Sequence, residues 1–146
     1  FNQFSGVPFQ VFSKETACIK KEGNITFIPV DKVLFNQSLI YCSGIITGGG
    51  FETPAEALHL GKKLMAIPIR GQYEQQCNAA ALQEMGITCL VAINEDFKDR
   101  FANWMNNAPS LRMDYSNAIR SSLEYVFSLS SGLVQPAPHY DSTFSD

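Results

Sequence analysis

Seven positions in the middle of the chain combine side chains and backbone freedom that can do chemistry: Gly48, Gly49, Gly50, Thr53, Glu56, Glu74 and Gln75. Consecutive glycines let the backbone turn sharply and let a ligand approach the main chain. A helix start directly behind them offers free N–H groups and partial positive charge, a natural seat for phosphate. Glu56, Glu74 and Gln75 fall close to that seat. Each position also has a structural reading. Glu56 stands three after Thr53, as in a capping box, and one carboxylate cannot fully serve both a cap and a ligand. The glycines suit a tight turn that packs helix on strand, and Glu74 and Gln75 suit a solvated first helical turn favoured by the dipole. Asn78 reads as a brace for the loop. His59 falls mid-helix and His139 in the tail, and neither has the neighbours of a catalytic triad or a metal site.

The elements that position these residues are written locally. Residues 45–47 (IIT) suit a buried strand. Behind the glycines, Thr53 reads as an N-cap, Pro54 as the first helical residue, and Gly61 as the stop. Residues 64–69 (LMAIPI) form a second apolar strand. Gly71 then turns the chain into a helix over about 73–85, closed by Gly86. Strand, turn, helix, strand, turn, helix implies a parallel sheet with right-handed crossovers and a ligand at the carboxyl ends of its strands.

The flanks extend the same alternation. Residues 1–5 read as the end of a helix, 8–13 (PFQVFS) as a strand and 14–23 as a polar connection. Another strand, 25–30 (ITFIPV), precedes a helix capped by Asp31 and running to about Cys42, with Val33, Leu34, Leu39 and Ile40 as core candidates. After Gly86 come a last strand, 87–93, and a helix capped by Asn94 or Asp96 that runs to about Asn106. Pro109 then breaks the chain, and a final helix covers 114–130. The tail holds Pro136 and Pro138 and shows little periodicity. The expected fold is α/β, a Rossmann-like parallel sheet with helices on both faces. The expected domain covers 1–134, with 135–146 as a C-terminal tail that is mobile or docks on a partner.

At 146 residues, 45% apolar and 17% charged, the chain has the makings of one globular domain with a real core. A net charge of −3 argues against a nucleic-acid surface held by bulk charge. No apolar run approaches the ~20 residues of a membrane span. The chain starts at Phe1 without a signal peptide, so a piece of a longer protein is expected. Cys18, Cys42, Cys77 and Cys89 form no CxxC pair and read as free thiols in a reducing compartment rather than disulfides or metal ligands. The sequons at Asn24 and Asn36 carry no meaning in a cytoplasmic protein.

ITGGGFETPAEALHLGKKLMAIP followed by GQYEQQCNA resembles the C-terminal, donor-binding domain of GT-B fold nucleotide-sugar glycosyltransferases. The group it is most similar to contains the lipid I N-acetylglucosaminyltransferase and the UDP-glucuronosyl/glucosyltransferases. The similarity covers roughly 8–93. It implies that Gly48, Gly49, Gly50, Phe51, Glu52 and Thr53 cradle a diphosphate and that Glu56 holds both ribose hydroxyls. It likewise implies that the backbone of Phe27, Ile28 and Val30 reads the base, and that Glu74 and Gln75 grip the donor sugar. Gly48 departs from the plant-type pattern, which has a histidine there as a phosphate contact. The family's first strand in this domain and its N-terminal acceptor domain are absent from the sequence.

The resemblance also implies a UDP-sugar substrate and no cofactor or bound metal. The catalytic base would come from the missing half, through which peripheral membrane association would also arise. An isolated fragment of this kind is expected to be inactive. Two further classes stay open: a binding subunit completed by a separate partner chain, and a UDP-sugar epimerase.

Overall fold

The computed structural model describes residues 1–130. In chain order the elements are β1 (Phe9–Ser13), β2 (Lys20–Glu22), β3 (Ile25–Pro29), α1 (Lys32–Tyr41), β4 (Gly44–Thr47), α2 (Glu52–His59), β5 (Lys63–Ala66), α3 (Tyr73–Glu84), β6 (Thr88–Cys89), α4 (Phe97–Asn107) and α5 (Ala118–Ser130). The chain divides into two compact units, Phe1–Met113 and Asp114–Asp146. In the second unit, Asp114 Oδ1 accepts the Ser116 N–H at 2.9 Å. That turn delays the helix expected from 114, and α5 begins at Ala118. The expected tail lies outside the described residues.

Strand β5 is the hub of the first unit. Its Leu64, Met65 and Ala66 are all buried. Alternation sends Leu64 and Ala66 to one face, with Leu39 of α1, Ala57 and Leu58 of α2, and Ala79 and Leu82 of α3. Met65 goes to the other, with Leu90 and with Phe97, Phe101 and Trp104 of α4. A strand covered on both faces reads as a continuous apolar run, which is why LMA was legible. Lys62 and Lys63 serve opposite helices. Lys62 Nζ donates to Ile40 O of α1 at 2.6 Å and Lys63 Nζ to Met105 O of α4 at 2.6 Å. Each cation thus meets a carbonyl of the last helical turn.

Strands β4, β5 and β6 run parallel in that order, with helices on both faces, a Rossmann-like α/β arrangement. A second three-stranded sheet, in the order β1-β3-β2, stands apart from it in hydrogen bonding. Its β2 is antiparallel to β3 and falls inside the segment read as a polar connection. Its Lys-Lys-Glu sequence is exposed, as befits an edge strand, so no apolar signal marked it.

Other boundaries shift for packing reasons. The 64–69 strand stops at Ala66, and of 87–93 only Thr88 and Cys89 pair, with Val91 94% exposed. The 25–30 strand ends at Pro29. On α1 only Leu39 is buried, while Val33, Leu34 and Ile40 are exposed. The stripe in contact is Phe35, Leu39 and Cys42, spaced i, i+4, i+7.

Residues 1–5 form turns rather than a helix end. Phe4 packs on Phe101 at 4.4 Å between ring centroids and Phe1 on Phe9 at 4.7 Å. Asn24 holds these turns, its Nδ2 donating to Val7 O at 2.8 Å, Phe4 O at 2.9 Å and Phe1 O at 3.4 Å. Asn24→Ala removes the side-chain donor from all three carbonyls, of which Phe1 O and Phe4 O keep the N–H groups of Phe4 and Val7, and should cost about 1–3 kcal/mol. Urea unfolding checks this, and an unchanged midpoint would show the turns hold without it.

Candidate functional site

Thr47 pairs with Ala66, and Ala66 with Cys89, so β4, β5 and β6 end together at one edge of the sheet. The loop after β4 carries Gly48, Gly49 and Gly50, and the helices that follow β4 and β5 carry Thr53 and Glu56 (α2) and Glu74 and Gln75 (α3).

The three glycines do three different things. A Cβ on Gly48 would stand 3.0 Å from Gln75 Oε1, so its bareness lets α3 approach. Gly49 is buried at φ +83°, a left-handed conformation that favours glycine. Its carbonyl accepts Asn78 Nδ2 at 3.1 Å and its N–H meets Thr47 Oγ1 at 3.4 Å. A Cβ on Gly50 would meet nothing within 4 Å. The tight-turn reading therefore accounts for Gly48 and Gly49, while Gly50 is bare without a packing reason. Asn78 is the brace it was read to be; the Thr47 hydroxyl contributes unforeseen, with no signal beyond its place at a strand end.

The helix start differs from its sequence reading. Phe51, not Thr53, is the N-cap, with φ −74°, ψ −32° and no side-chain cap. A threonine cap needs an extended backbone, and here the chain is already helical at Phe51. Ala55 N donates to Phe51 O at 3.1 Å as the first helical bond. Pro54 sits in the first turn, where a missing N–H costs no helical bond. Among the described residues the N–H groups of Phe51, Glu52 and Thr53 meet no acceptor and are left as that turn's free donors. Glu56 falls two residues too late for a capping box; it is exposed and, among the described residues, its carboxylate makes no hydrogen bond or ion pair, while its carbonyl accepts Leu60 N–H at 3.0 Å within the helix. It lines a groove of about 250 Å³ between α1 and α2, with Asn36, Leu39, Ile40, His59 and Leu60.

The chain enters α1 from β3. Ile28 is buried, Phe27 half-buried and Val30 exposed, and Asp31 Oδ1 caps the helix by accepting Leu34 N–H at 2.8 Å. At the start of α3, Glu74 is exposed, whereas Gln75 is half-buried and tied, its Oε1 accepting Ile69 N–H at 3.0 Å. Two neighbours in sequence thus have unlike freedom. The edge also exposes Phe51, expected in the diphosphate cradle, together with Ile69 of the loop after β5 and Tyr73 at the start of α3, to which the sequence reading gave no role.

A larger depression of about 600 Å³, lined among others by Thr88, Asp99, Arg100 and Asn103, contains none of these residues. All four cysteines are free. Burial pushes the Cys42 and Cys89 thiols up. Their sulfurs donate to Leu39 O at 3.3 Å and Ala79 O at 3.2 Å, so both are packing groups. Among the described residues no three His, Cys, Asp or Glu side chains gather to hold a metal ion, and no helix is long and apolar enough to cross a membrane.

A glycine-rich turn leading into an uncapped helix at the carboxyl edge of a parallel sheet is the frame on which the family comparison falls. The model of glycosyl transferase family 1 matches residues 2–109. The chain belongs to that family. This glycosyltransferase domain therefore takes part in sugar transfer, and the match spans both edge loops and α1 through α4 while leaving α5 outside. No curated protein gives a significant match, and no solved structure does either.

Proposed function

We propose that this domain is the donor half of a glycosyltransferase and binds a nucleotide sugar, a UDP-sugar, at the carboxyl edge of β4 and β5. The observation that carries the reading is the open Gly50 followed by the free first-turn N–H groups of α2. The diphosphate lies along Gly48 to Thr53 and Glu56 takes the ribose hydroxyls. The β3 end at Phe27, Ile28 and Val30 takes the base, and Glu74 and Gln75 take the sugar. Preorganised amides then stabilise the charge that develops on the leaving nucleoside diphosphate, with no metal required. The acceptor and the base that deprotonates it belong to an N-terminal acceptor domain, C-terminal placement and a cytoplasmic setting being part of the same proposal. The chain alone accordingly does not transfer sugar; turnover onto any acceptor by these residues would demand a base within them.

Calorimetric titration with UDP tests the reading: weak saturable binding supports it, and none at millimolar ligand removes it. Gln75→Glu refines it. Glutamate keeps the oxygen that holds Ile69 N–H but loses the amide donor. The added negative charge beside Gly48 weakens binding of both ligands, and UDP-sugar affinity should fall roughly fivefold to tenfold further than UDP affinity, the worth of one hydrogen bond of about 1–1.5 kcal/mol. Equal losses for both ligands would place Gln75 at the nucleotide or in the scaffold.

A further inference from the structure

We infer that Arg70, in the loop after β5, supplies the positive charge that holds the diphosphate of the donor. This rests on the donor reading above and adds to it a residue to which that reading gives no role. From β4 to the first turn of α3 the acidic side chains are Glu52, Glu56 and Glu74, and all three belong to the proposed site. A nucleoside diphosphate brings further negative charge to the same place. Backbone amides at a helix start offer only partial charge against it. The cationic candidates in that stretch are His59, Lys62, Lys63 and Arg70. Lys62 and Lys63 stand at the entry to β5, at the far edge of the sheet, each engaged by a helix carbonyl at 2.6 Å. His59 closes α2 at the end away from the glycines, with Nδ1 3.3 Å from Met113 O. Arg70 is left. It is exposed, and among the described residues its guanidinium makes no hydrogen bond or ion pair.

The backbone presents this side chain at a defined place. Gln72 N donates to Ile69 O at 3.0 Å, which closes a turn with Arg70 and Gly71 at its corners. Gly71 has φ +84° and no other residue type takes a positive φ, the pattern of a type II turn with glycine in the third position. A Cβ at Gly71 would meet nothing within 4 Å, so the tip of the turn is open.

The turn is also anchored to the glycines. Gln75 Oε1 accepts Ile69 N–H at 3.0 Å, and the same oxygen lies 3.0 Å from the point where a Gly48 Cβ would stand. One side-chain oxygen therefore touches both the start of the turn and the first of the three glycines. Arg70 follows Ile69 directly, so its Cα is held beside the diphosphate loop. Three residues on from Gln75, on the same face of α3, Asn78 holds Gly49 O at 3.1 Å. Both loops are thus fixed to one helix, and a rotation of the arginine stem suffices to bring the guanidinium to a ligand between them. Its planar fork matches two phosphate oxygens, which a lysine meets only as a point charge.

Arg70→Gln and Arg70→Lys, each compared with the parent 146-residue chain, test this by calorimetry with UDP. The titrations run at about 0.01 M and about 0.15 M salt, where charges are screened over about 30 Å and about 8 Å. At low salt Arg70→Gln should lower UDP affinity about tenfold, the worth of one charge-assisted contact. Arg70→Lys should keep most of that affinity, and the gap between parent and Arg70→Gln should narrow at the higher salt. Urea midpoints of the three proteins should coincide, because the side chain is exposed and Gly71 still makes the turn. Equal UDP affinity in parent and Arg70→Gln overturns the inference and leaves the donor reading standing. So does a loss that is the same for both variants and indifferent to salt, since Arg70 would then only shape the turn. A parent that fails to bind UDP removes the donor reading and this assignment together.

Discussion

Glu56→Ala weakens UDP binding by about ten- to a hundredfold and leaves the unfolding midpoint unchanged. A carboxylate that accepts both ribose hydroxyls makes hydrogen bonds to a charged group, together worth about 1.5–3 kcal/mol, and that energy converts to the stated factor. The second half of the expectation comes from the fold. Had Glu56 closed a capping box on Thr53, its removal would have cost about 0.5–2 kcal/mol of stability, and a lost affinity would be hard to separate from a damaged domain. The helix instead starts at Glu52 with Phe51 as its N-cap, and the Glu56 carboxylate stands exposed in the groove between α1 and α2. On the proposed reading the substitution removes the ribose contact and little else. Calorimetry with UDP, paired with urea unfolding of the same samples, makes the check. Equal affinities with equal midpoints would take Glu56 out of the site.

Trp104→Ala should cost about 3–5 kcal/mol, a large share of the 5–15 kcal/mol that holds a typical domain together. The indole is 3% exposed, lies tilted against Phe101 with centroids 5.5 Å apart, and donates from Nε1 to Leu64 O at 3.0 Å in the central strand. Truncation opens a cavity and removes that donor together. Trp104→Phe separates the two, since it keeps most of the apolar contact and should lose only about 1 kcal/mol for the hydrogen bond. Gly44 supplies a second handle. A Cβ there would fall 2.8 Å from Trp104 Cη2 and 3.1 Å from Lys63 O, so Gly44→Ala is also destabilising in the parent. Against Trp104→Ala the same change should cost less, because one of its two obstacles is gone, and a double-mutant cycle reads the coupling directly. As Trp104 is the single tryptophan, circular dichroism rather than fluorescence must follow the unfolding. Additive costs at Gly44 and Trp104 would mean that Lys63, through its Cβ and carbonyl oxygen, alone excludes the methyl group.

The sequence by itself determined what depends on a few neighbouring residues. Gly61 and Gly86 were readable as helix stops because each takes a positive φ, +64° and +82°, and closes its helix with the same pair of backbone bonds. Lys62 N reaches Ala57 O at 2.8 Å as Gly61 N reaches Leu58 O, and Ile87 N reaches Leu82 O at 3.0 Å as Gly86 N reaches Gln83 O. Asp31 was readable as a cap because its carboxylate needs only the amide three residues on. The alternation of β4, α2, β5 and α3 followed from such punctuation, and with it the edge on which the candidate site lies.

Tertiary structure decided whatever depends on residues distant in the chain. Thr53, Pro54 and Glu56 spell a capping box locally, yet Gly49 is pinned by Asn78 from α3, and α2 starts at Glu52 rather than behind Thr53. Gln75 and Glu74 look equivalent as first-turn residues. Only the approach of the Ile69 loop makes one a tether and leaves the other exposed. The several apolar residues of α1 offered more than one possible inward face, and contact with α2 and β5 selected Phe35, Leu39 and Cys42. β2 exists because β3 offers it an edge, and β1 and β4 stay apart because pairing is a property of two strands and the space between them. Local signals carry no term for such contacts, since each depends on which surfaces the folded chain brings together.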